Sequence, residues 1–520
     1  MRRLSPFVAA LLATAVIAAP GIAADSKTKI ETSTSTEESG DKPDSDVAAA
    51  STTEDAQPSR HSVQIAGRTV NYTATPGTLI IRDDDGKPTA SVFYTAYTVD
   101  GPARSRPVTF IFNGGPGSST MWLHMGSVGP MRVDTPDVAA SATAPYRLVS
   151  NPHSLLDRSD LVFIDAVGTG YSRPLGEMKG PEFWGVDGDI DAFAKAIQRW
   201  VTKNNRWDSP KFIMGESYGT LRAAGLVYAL QQRGMPMNGV MLVSSILNYG
   251  IRNPGFDQLD VTYLPSYAAT AWYHKRAGQG ADLASFVAQA QAYARGPYLL
   301  ALQKGDNLAP AEAQAVAAEL SKFTGLSTQV LLENDLRVEL GRFRKQLLLD
   351  QRKSVGRLDA RFTGTDVDAG GENPDYDAAD AALSGAYVGA LNTYLTGPLG
   401  YKTRLSYRPN YYSKINTSWD WKHKAPGINR PLPVADTALD LAAAMRENPR
   451  LKVLSANGYY DMATPFTGAE YDLAHMQLDA SLRPNVSFTY YPAGHMFYIE
   501  PGSLAAFRTD LLRFYDSATR

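Results

Sequence analysis

Cysteine is absent from this chain. That excludes disulfides, thiolate metal sites and a cysteine nucleophile. It does not fix the compartment, because 520 residues can build a core that needs no staples. Excess charge of either sign is also absent. Lys and Arg number 51 against 53 Asp and Glu, a formal net charge of −2, so nothing draws the chain to nucleic acid or to an anionic membrane surface. Histidine is scarce at 7 residues, which leaves few candidates for a base near neutral pH. No internal repeat is visible, and beyond residue 24 no segment reads as transmembrane. The length favours one large domain with an insertion, or two domains.

The first residues carry an address. Met1-Arg2-Arg3 is basic, residues 7–19 are apolar, and small residues follow at Gly21, Ala23 and Ala24. This pattern predicts a secretory signal peptide over 1–24, with cleavage near Ala24. A retained anchor is the alternative, although the apolar run is short for a span. The expected compartment is periplasmic or extracellular, without stable membrane insertion after cleavage. Residues 25–58 are rich in Ser, Thr, Asp, Glu and Ala and lack aromatics, which predicts a disordered tether.

From residue 62 the pattern changes. Short strands are predicted over 62–66, 69–72, 78–82 and 90–97, and buried ones over 108–112, 161–165, 211–214 and 239–244. A helix is predicted over 189–200, where Ile190, Phe193, Ala194 and Ile197 share a face, and another over 218–232. Strands alternating with helices imply a mostly parallel sheet flanked by helices, an α/β fold. The alternation stops over about 250–430, where helices are predicted over 282–295, 310–323 and 328–350. We read this stretch as a largely helical cap inserted into a domain whose first part is 59–249 and whose second part is 431–520. Strands resume over 451–455 and 486–490, and a last helix is predicted over 504–515.

The chemistry gathers after three of these strands. Ser217 lies in Gly215-Glu216-Ser217-Tyr218-Gly219, between a strand and a helix. Asp461 and His495 each follow a later strand, giving the order Ser, Asp, His. This order and context match the nucleophile elbow and triad of an α/β-hydrolase. Parallel strands bring these turns to one carboxyl edge. There His495 can take the serine proton while Asp461 orients the imidazole. The oxyanion needs two donors, for which the Tyr218 N–H and the loop Asn113-Gly114-Gly115-Pro116-Gly117 are placed. The remaining histidines (His61, His124, His153, His274, His423 and His475) read as packing or surface residues.

Four blocks make the pattern specific: Asn113-Gly-Gly-Pro-Gly-Ser-Ser119; Asn151-Pro-His-Ser154 with Asp165-Ala-Val-Gly-Thr-Gly-Tyr-Ser172; Gly215-Glu-Ser-Tyr-Gly219; and Gly494-His-Met496. Together they resemble the serine carboxypeptidase family, which removes single residues from peptide C-termini, mostly at acid pH. The resemblance implies the α/β-hydrolase fold, peptide substrates and no metal or organic cofactor. It also implies roles: Gly115 and Tyr218 as oxyanion donors, Asn113 as a donor to the substrate carboxylate, and Glu216 as the acid that shares a proton with it. Two adjacent carboxylates cannot both ionise cheaply, so such binding weakens as pH rises.

Three positions depart from the family pattern. Ile111 stands where many members have tryptophan, Ser127 where many have glutamate, and Ser118 where a cysteine is familiar. The first two changes thin the carboxylate network. An esterase or acyltransferase on the same triad therefore stays open, as does a non-catalytic binding protein on a hydrolase fold. Oligomeric state and leaving-residue preference are not written in the sequence.

Overall fold

A computed structural model of the chain describes residues 50–519 apart from 102–104, 136–137, 139–142 and 254. The expected leader over 1–24, and the tether as far as residue 49, lie outside the described residues. Strand β1 (Ser59–Ile65) turns through Ala66 and Gly67 into β2 (Arg68–Arg82), pairing Ile65 with Arg68. The sequence predicted a break in this strand around Pro76 and Gly77, yet β2 runs straight through. Past Ala74 its outer edge is no longer covered by β1. Residues from the expected tether take that place: Gln57 N–H donates to the Pro76 carbonyl at 3.0 Å, and Thr78 N–H reaches the Asp55 carbonyl at 2.8 Å. Glu54 adds ion pairs to Arg199 at 2.7 Å and Lys203 at 3.0 Å. The disordered tether read over 25–58 is therefore corrected at its end, because an unpaired sheet edge gives 54–57 partners.

The sheet continues with β3 (Pro88–Val99), β4 (Val108–Phe112), β5 (Asp160–Ile164), β6 (Lys211–Ser217), β7 (Gly239–Ser245), β8 (Lys452–Gly458) and β9 (Val486–Tyr491). Their order is β1-β2-β3-β5-β4-β6-β7-β8-β9, and Arg173–Pro174 pairs with β3 to complete ten strands. The pairs from β5 to β9 are all parallel, and the β1 side is antiparallel. Every residue of β4, β5 and β7 is buried, as expected of strands covered on both faces.

Helices cover the two faces. On one lie α2 (Val186–Lys203), α3 (Tyr218–Gln232) and α6 (Ala438–Glu447), whose Ile190, Phe193, Leu226 and Leu441 share one core. On the other lie α1 (Met121–Gly126), α5 (Ala378–Thr396) and α8 (Pro501–Ala518), with Trp122, Tyr387 and Phe507 in a second core. This is the α/β-hydrolase architecture. Two further helices border the site, α4 (Gln258–Tyr273) and α7 (Phe466–Ala474).

The stretch 250–430, expected as one cap, feeds two cores. Helix α4 and the helices Leu283–Tyr293, Pro310–Thr324 and Leu340–Gln346 build a third core around Tyr267, Phe286, Leu320 and Phe343, which Tyr460, Met462 and Phe466 join. Helix α5 instead packs on the sheet. The helix predicted over 328–350 is interrupted after Thr328–Glu333, where Asp335 and Leu336 turn to positive φ of 48° and 64°. Among the described residues no helix is long and apolar enough to cross a membrane.

His423 ties the end of this stretch to the sheet helices. Its Nδ1 lies 2.6 Å from Asp187 at the start of α2, and its Nε2 lies 2.7 Å from Asp440 at the start of α6. Burial opposes the charged ring, but the two carboxylates outweigh it and hold its pKa up at about 9. A raised histidine pKa stabilises the fold fully below the unfolded value near 6.5, and the gain is lost as pH rises through about 9. His423→Asn is thus expected to lower the melting temperature by several degrees at pH 6. The gap to the parent should close through pH 9, as thermal melts across that range would show.

Candidate active site

Strand β6 ends on Ser217, whose φ of 60° and ψ of −132° lie outside the ordinary regions of a non-glycine residue. The turn is possible because its flanks carry no side chain. A Cβ on Gly215 would stand 2.1 Å from the Gly219 carbonyl oxygen, and one on Gly114 would stand 2.6 Å from the Tyr218 nitrogen. The elbow thus presses backbone to backbone against the loop that follows β4. Tyr218 opens α3, where N–H groups have no intrahelical acceptor. The Gly115 N–H belongs to the peptide that leaves Gly114, so both expected donors lie beside Ser217.

The acid and the base meet at the ends of β8 and β9. His495 Nδ1 lies 2.7 Å from Asp461 Oδ2, and both residues are buried. Asp461 Oδ1 accepts N–H bonds from Ala463 at 2.8 Å and Thr464 at 2.9 Å. The Thr464 hydroxyl lies 2.8 Å from Asp461 Oδ2 and 2.9 Å from the Ser244 carbonyl. Ser244 Oγ donates to the His495 carbonyl at 2.6 Å, and its neighbour Ser245 is the register partner of Ser217. Strand β7 therefore bridges the nucleophile turn to the histidine turn. Burial disfavours a charged His495, but the Asp461 carboxylate more than offsets this and raises its pKa above the ordinary value.

Glu216, just before the serine, is buried, and burial pushes its pKa up to about 7. Tyr498 Oη donates to its Oε2 at 2.6 Å. Asn113 Oδ1 accepts the Leu123 N–H at 3.0 Å. Beneath them, Arg222 donates from Nη1 to the Asn113 carbonyl at 2.7 Å and from Nε to Asp189 at 2.6 Å. Its guanidinium lies 4.3 Å from the Phe193 ring centroid and 5.3 Å from that of Tyr218.

The glycine loop is held from outside by the segment returning from the insertion. Ser119 N–H donates to the Pro409 carbonyl at 3.0 Å, and Tyr411 N–H donates to the Gly117 carbonyl at 2.8 Å. Gly170 and Arg408 exchange backbone bonds of 2.8 and 3.0 Å. The other motif blocks act as scaffolding. Asn151 Nδ2 holds the Ser127 and Gly129 carbonyls at 2.7 and 2.8 Å, and Asp165 Oδ1 accepts the Thr120 N–H at 2.7 Å.

Residues 77–286 match the family model described as serine carboxypeptidase. Over that stretch, about two fifths of its length, the chain is similar to the serine carboxypeptidase family. That similarity, with the Ser217 turn and the His495–Asp461 pair, supports a serine hydrolase. Serine carboxypeptidase-like 51 of Arabidopsis thaliana is 30% identical over 140 residues, which is 26% of this chain and 28% of that protein. The alignment therefore spans under a third of that relative. Solved structures similar to this chain include a proline iminopeptidase from Mycobacterium smegmatis (13% identical, TM-score 0.37, covering 85% of this chain and 98% of that one). Another is an acetylester hydrolase from Corynebacterium glutamicum (11% identical, TM-score 0.34, covering 89% and 96%).

All seven residues singled out in the sequence — Ser217, Asp461, His495, Gly115, Tyr218, Asn113 and Glu216 — lie around this one edge. Sequence reasoning missed Thr464, Tyr498 and Arg222. Tyr498 had a signal, standing in the turn that follows His495. Arg222 looked like one more residue of a helix. A cavity of about 970 Å³, lined by Val261, Gln291, Arg295, Glu470, Phe488 and Tyr490 among others, lies between the insertion and β9, and no triad residue lines it.

Proposed function

We propose that this serine hydrolase is an exported carboxypeptidase that releases C-terminal residues from peptides through an acyl-enzyme. Ser217 attacks the scissile carbonyl while His495 takes its proton and Asp461 steadies the imidazolium. The Gly115 and Tyr218 N–H groups receive the oxyanion. His495 returns the proton to the leaving amine, and water then deacylates Ser217 by the same route in reverse. Asn113 and Glu216 hold the terminal carboxylate of the substrate. The observation that carries this reading is Glu216, a buried carboxyl beside the nucleophile with a pKa of about 7. A protonated acid there can share its proton with an incoming carboxylate, where an ionised one would repel it.

The test uses purified protein and N-blocked dipeptides with a free or an amidated C-terminus, with products read by mass spectrometry. Release from the free acid alone is expected, with kcat/KM falling as pH rises through about 7, where Glu216 loses its proton. Glu216→Gln keeps a hydrogen-bond donor at every pH, so it should flatten that falling limb. Equal cleavage of acid and amide would remove the exopeptidase reading.

An esterase or acyltransferase is the second reading. The observation in its favour is Ser127, which gives its hydroxyl to the Leu123 carbonyl at 2.6 Å and offers no carboxyl to a substrate. Turnover of simple esters alone, or transfer to an added alcohol or amine, would select it. The leader read over 1–24 makes export part of the proposal. N-terminal sequencing of the mature protein should then start near Asp25.

A further inference from the structure

Arg357 stands where the insertion meets both the acid and the base of the triad. Its carbonyl accepts the N–H of Met462, the residue after Asp461, at 3.1 Å. The carbonyl of the next residue, Leu358, accepts the N–H of His495 itself at 2.6 Å. The N–H groups of Arg357 and Leu358 both donate to Asp377 Oδ2, at 2.8 and 3.0 Å. Asp359 continues the clamp, accepting the Gly494 N–H at 3.1 Å. The backbone at Arg357 is therefore fixed from several directions.

The side chain is not. It is exposed, and its guanidinium makes no hydrogen bond or ion pair with the described residues. The neighbouring arginines are engaged: Arg361 with Asp359 at 2.7 Å, Arg252 with Asp472 at 3.9 Å, and Arg344 with the Val355 carbonyl at 2.9 Å. The charge of Arg357 acts on His495 and on three tyrosines from separate segments, Tyr249, Tyr263 and Tyr412. Tyr412 in turn borders the glycine loop, since a Cβ on Gly115 would stand 2.9 Å from its ring. Arg357 thus stands on the backbone that props the His495 turn, with its charge reaching both His495 and Tyr412. A guanidinium on a fixed backbone, without a carboxylate of its own, matches the planar two-oxygen face of a carboxylate.

We infer that Arg357 is a specificity-determining residue that pairs with a carboxylate of the substrate, either the terminal one or that of an acidic side chain beside the scissile bond. The inference rests on acyl transfer at Ser217, as proposed above. It suits a site in which Ile111 and Ser127 leave the carboxylate network thin.

The test compares the parent enzyme with Arg357→Gln and Arg357→Lys. N-blocked dipeptides combine a free or amidated terminus with Glu or Gln at each position. A pair of nitrophenyl esters, acetate and monosuccinate, supplies a neutral and an anionic substrate that need no peptidase activity. Arg357→Gln is expected to raise KM about tenfold or more for the anionic member of a pair. Its kcat, its melting temperature and its KM for the neutral member should stay near the parent's, and Arg357→Lys should recover part of the loss. A loss that follows the free terminus assigns the terminal carboxylate, and one that follows Glu assigns the side chain. Equal effects on neutral and anionic substrates, or no effect on either, overturn the inference. Failure of the carboxypeptidase reading shows separately, as a parent enzyme that turns over esters and no peptide, and the ester pair then still decides the role of Arg357.

Discussion

Ser217→Ala is expected to lower kcat by on the order of 10⁴ to 10⁶ while leaving the melting temperature almost unchanged. Only Oγ is removed, and the elbow is held by contacts that do not involve it. Gly215 and Gly219 still let the strand and helix backbones meet, and Thr220 Oγ1 still donates to the Ser217 carbonyl at 2.7 Å. His495→Ala should cost a similar factor, and the double variant little more than either single one, because the two residues act as one unit. A fluorophosphonate probe should label the parent and not Ser217→Ala. A variant that keeps more than about a tenth of the parent rate would show that turnover does not pass through Ser217.

The second large effect lies beneath the site. Arg222 and Asp189 form an ion pair in which both side chains are almost wholly buried. Removing one partner strands a charge in the core, which typically costs about 3–5 kcal/mol. Arg222→Leu should therefore unfold in urea well before the parent. Replacing both residues by leucine should recover most of that stability, since no charge is then stranded. Activity should not recover with it. Arg222 also holds the Asn113 carbonyl at 2.7 Å and lies under the Tyr218 ring, so its loss loosens both sides of the oxyanion pocket. A double variant that regained full kcat would reduce Arg222 to a structural part. Urea melts and steady-state kinetics on the same preparations separate the two outcomes.

The meeting of Ser217, Asp461 and His495 at one edge was legible because each follows a strand, and parallel strands deliver their C-terminal turns to one edge. The closeness of the Gly115 and Tyr218 backbones was legible for the same reason, as turns after β4 and β6. What the sequence did not disclose is held by pairings between distant segments. Leu358 supports His495 from more than a hundred positions away, and nothing in its own surroundings marks it. His423 read as an ordinary packing residue because the two carboxylates that charge it come from α2 and α6. The strand break expected near Pro76 followed a sound local rule, yet the tail of residues 54–57 supplied the partners that kept the strand whole. The stretch 250–430 looked uniform because its helices share a composition, whereas their apolar faces turn to different cores.

The bonds between residues 408–411 and the glycine loop bear on how this enzyme could be recombined with its relatives. A chimera whose exchanged block ends before Arg408 would keep its own brace on the oxyanion loop. One that runs through Tyr411 would import a foreign brace and put the donors out of line. The clamp at Arg357 to Asp359 sets a second limit, since a graft replacing it would also replace the prop behind His495. The helices between 283 and 346 lie before both limits, in a core they share with α4, Tyr460, Met462 and Phe466. An exchange confined to that block would leave both braces native.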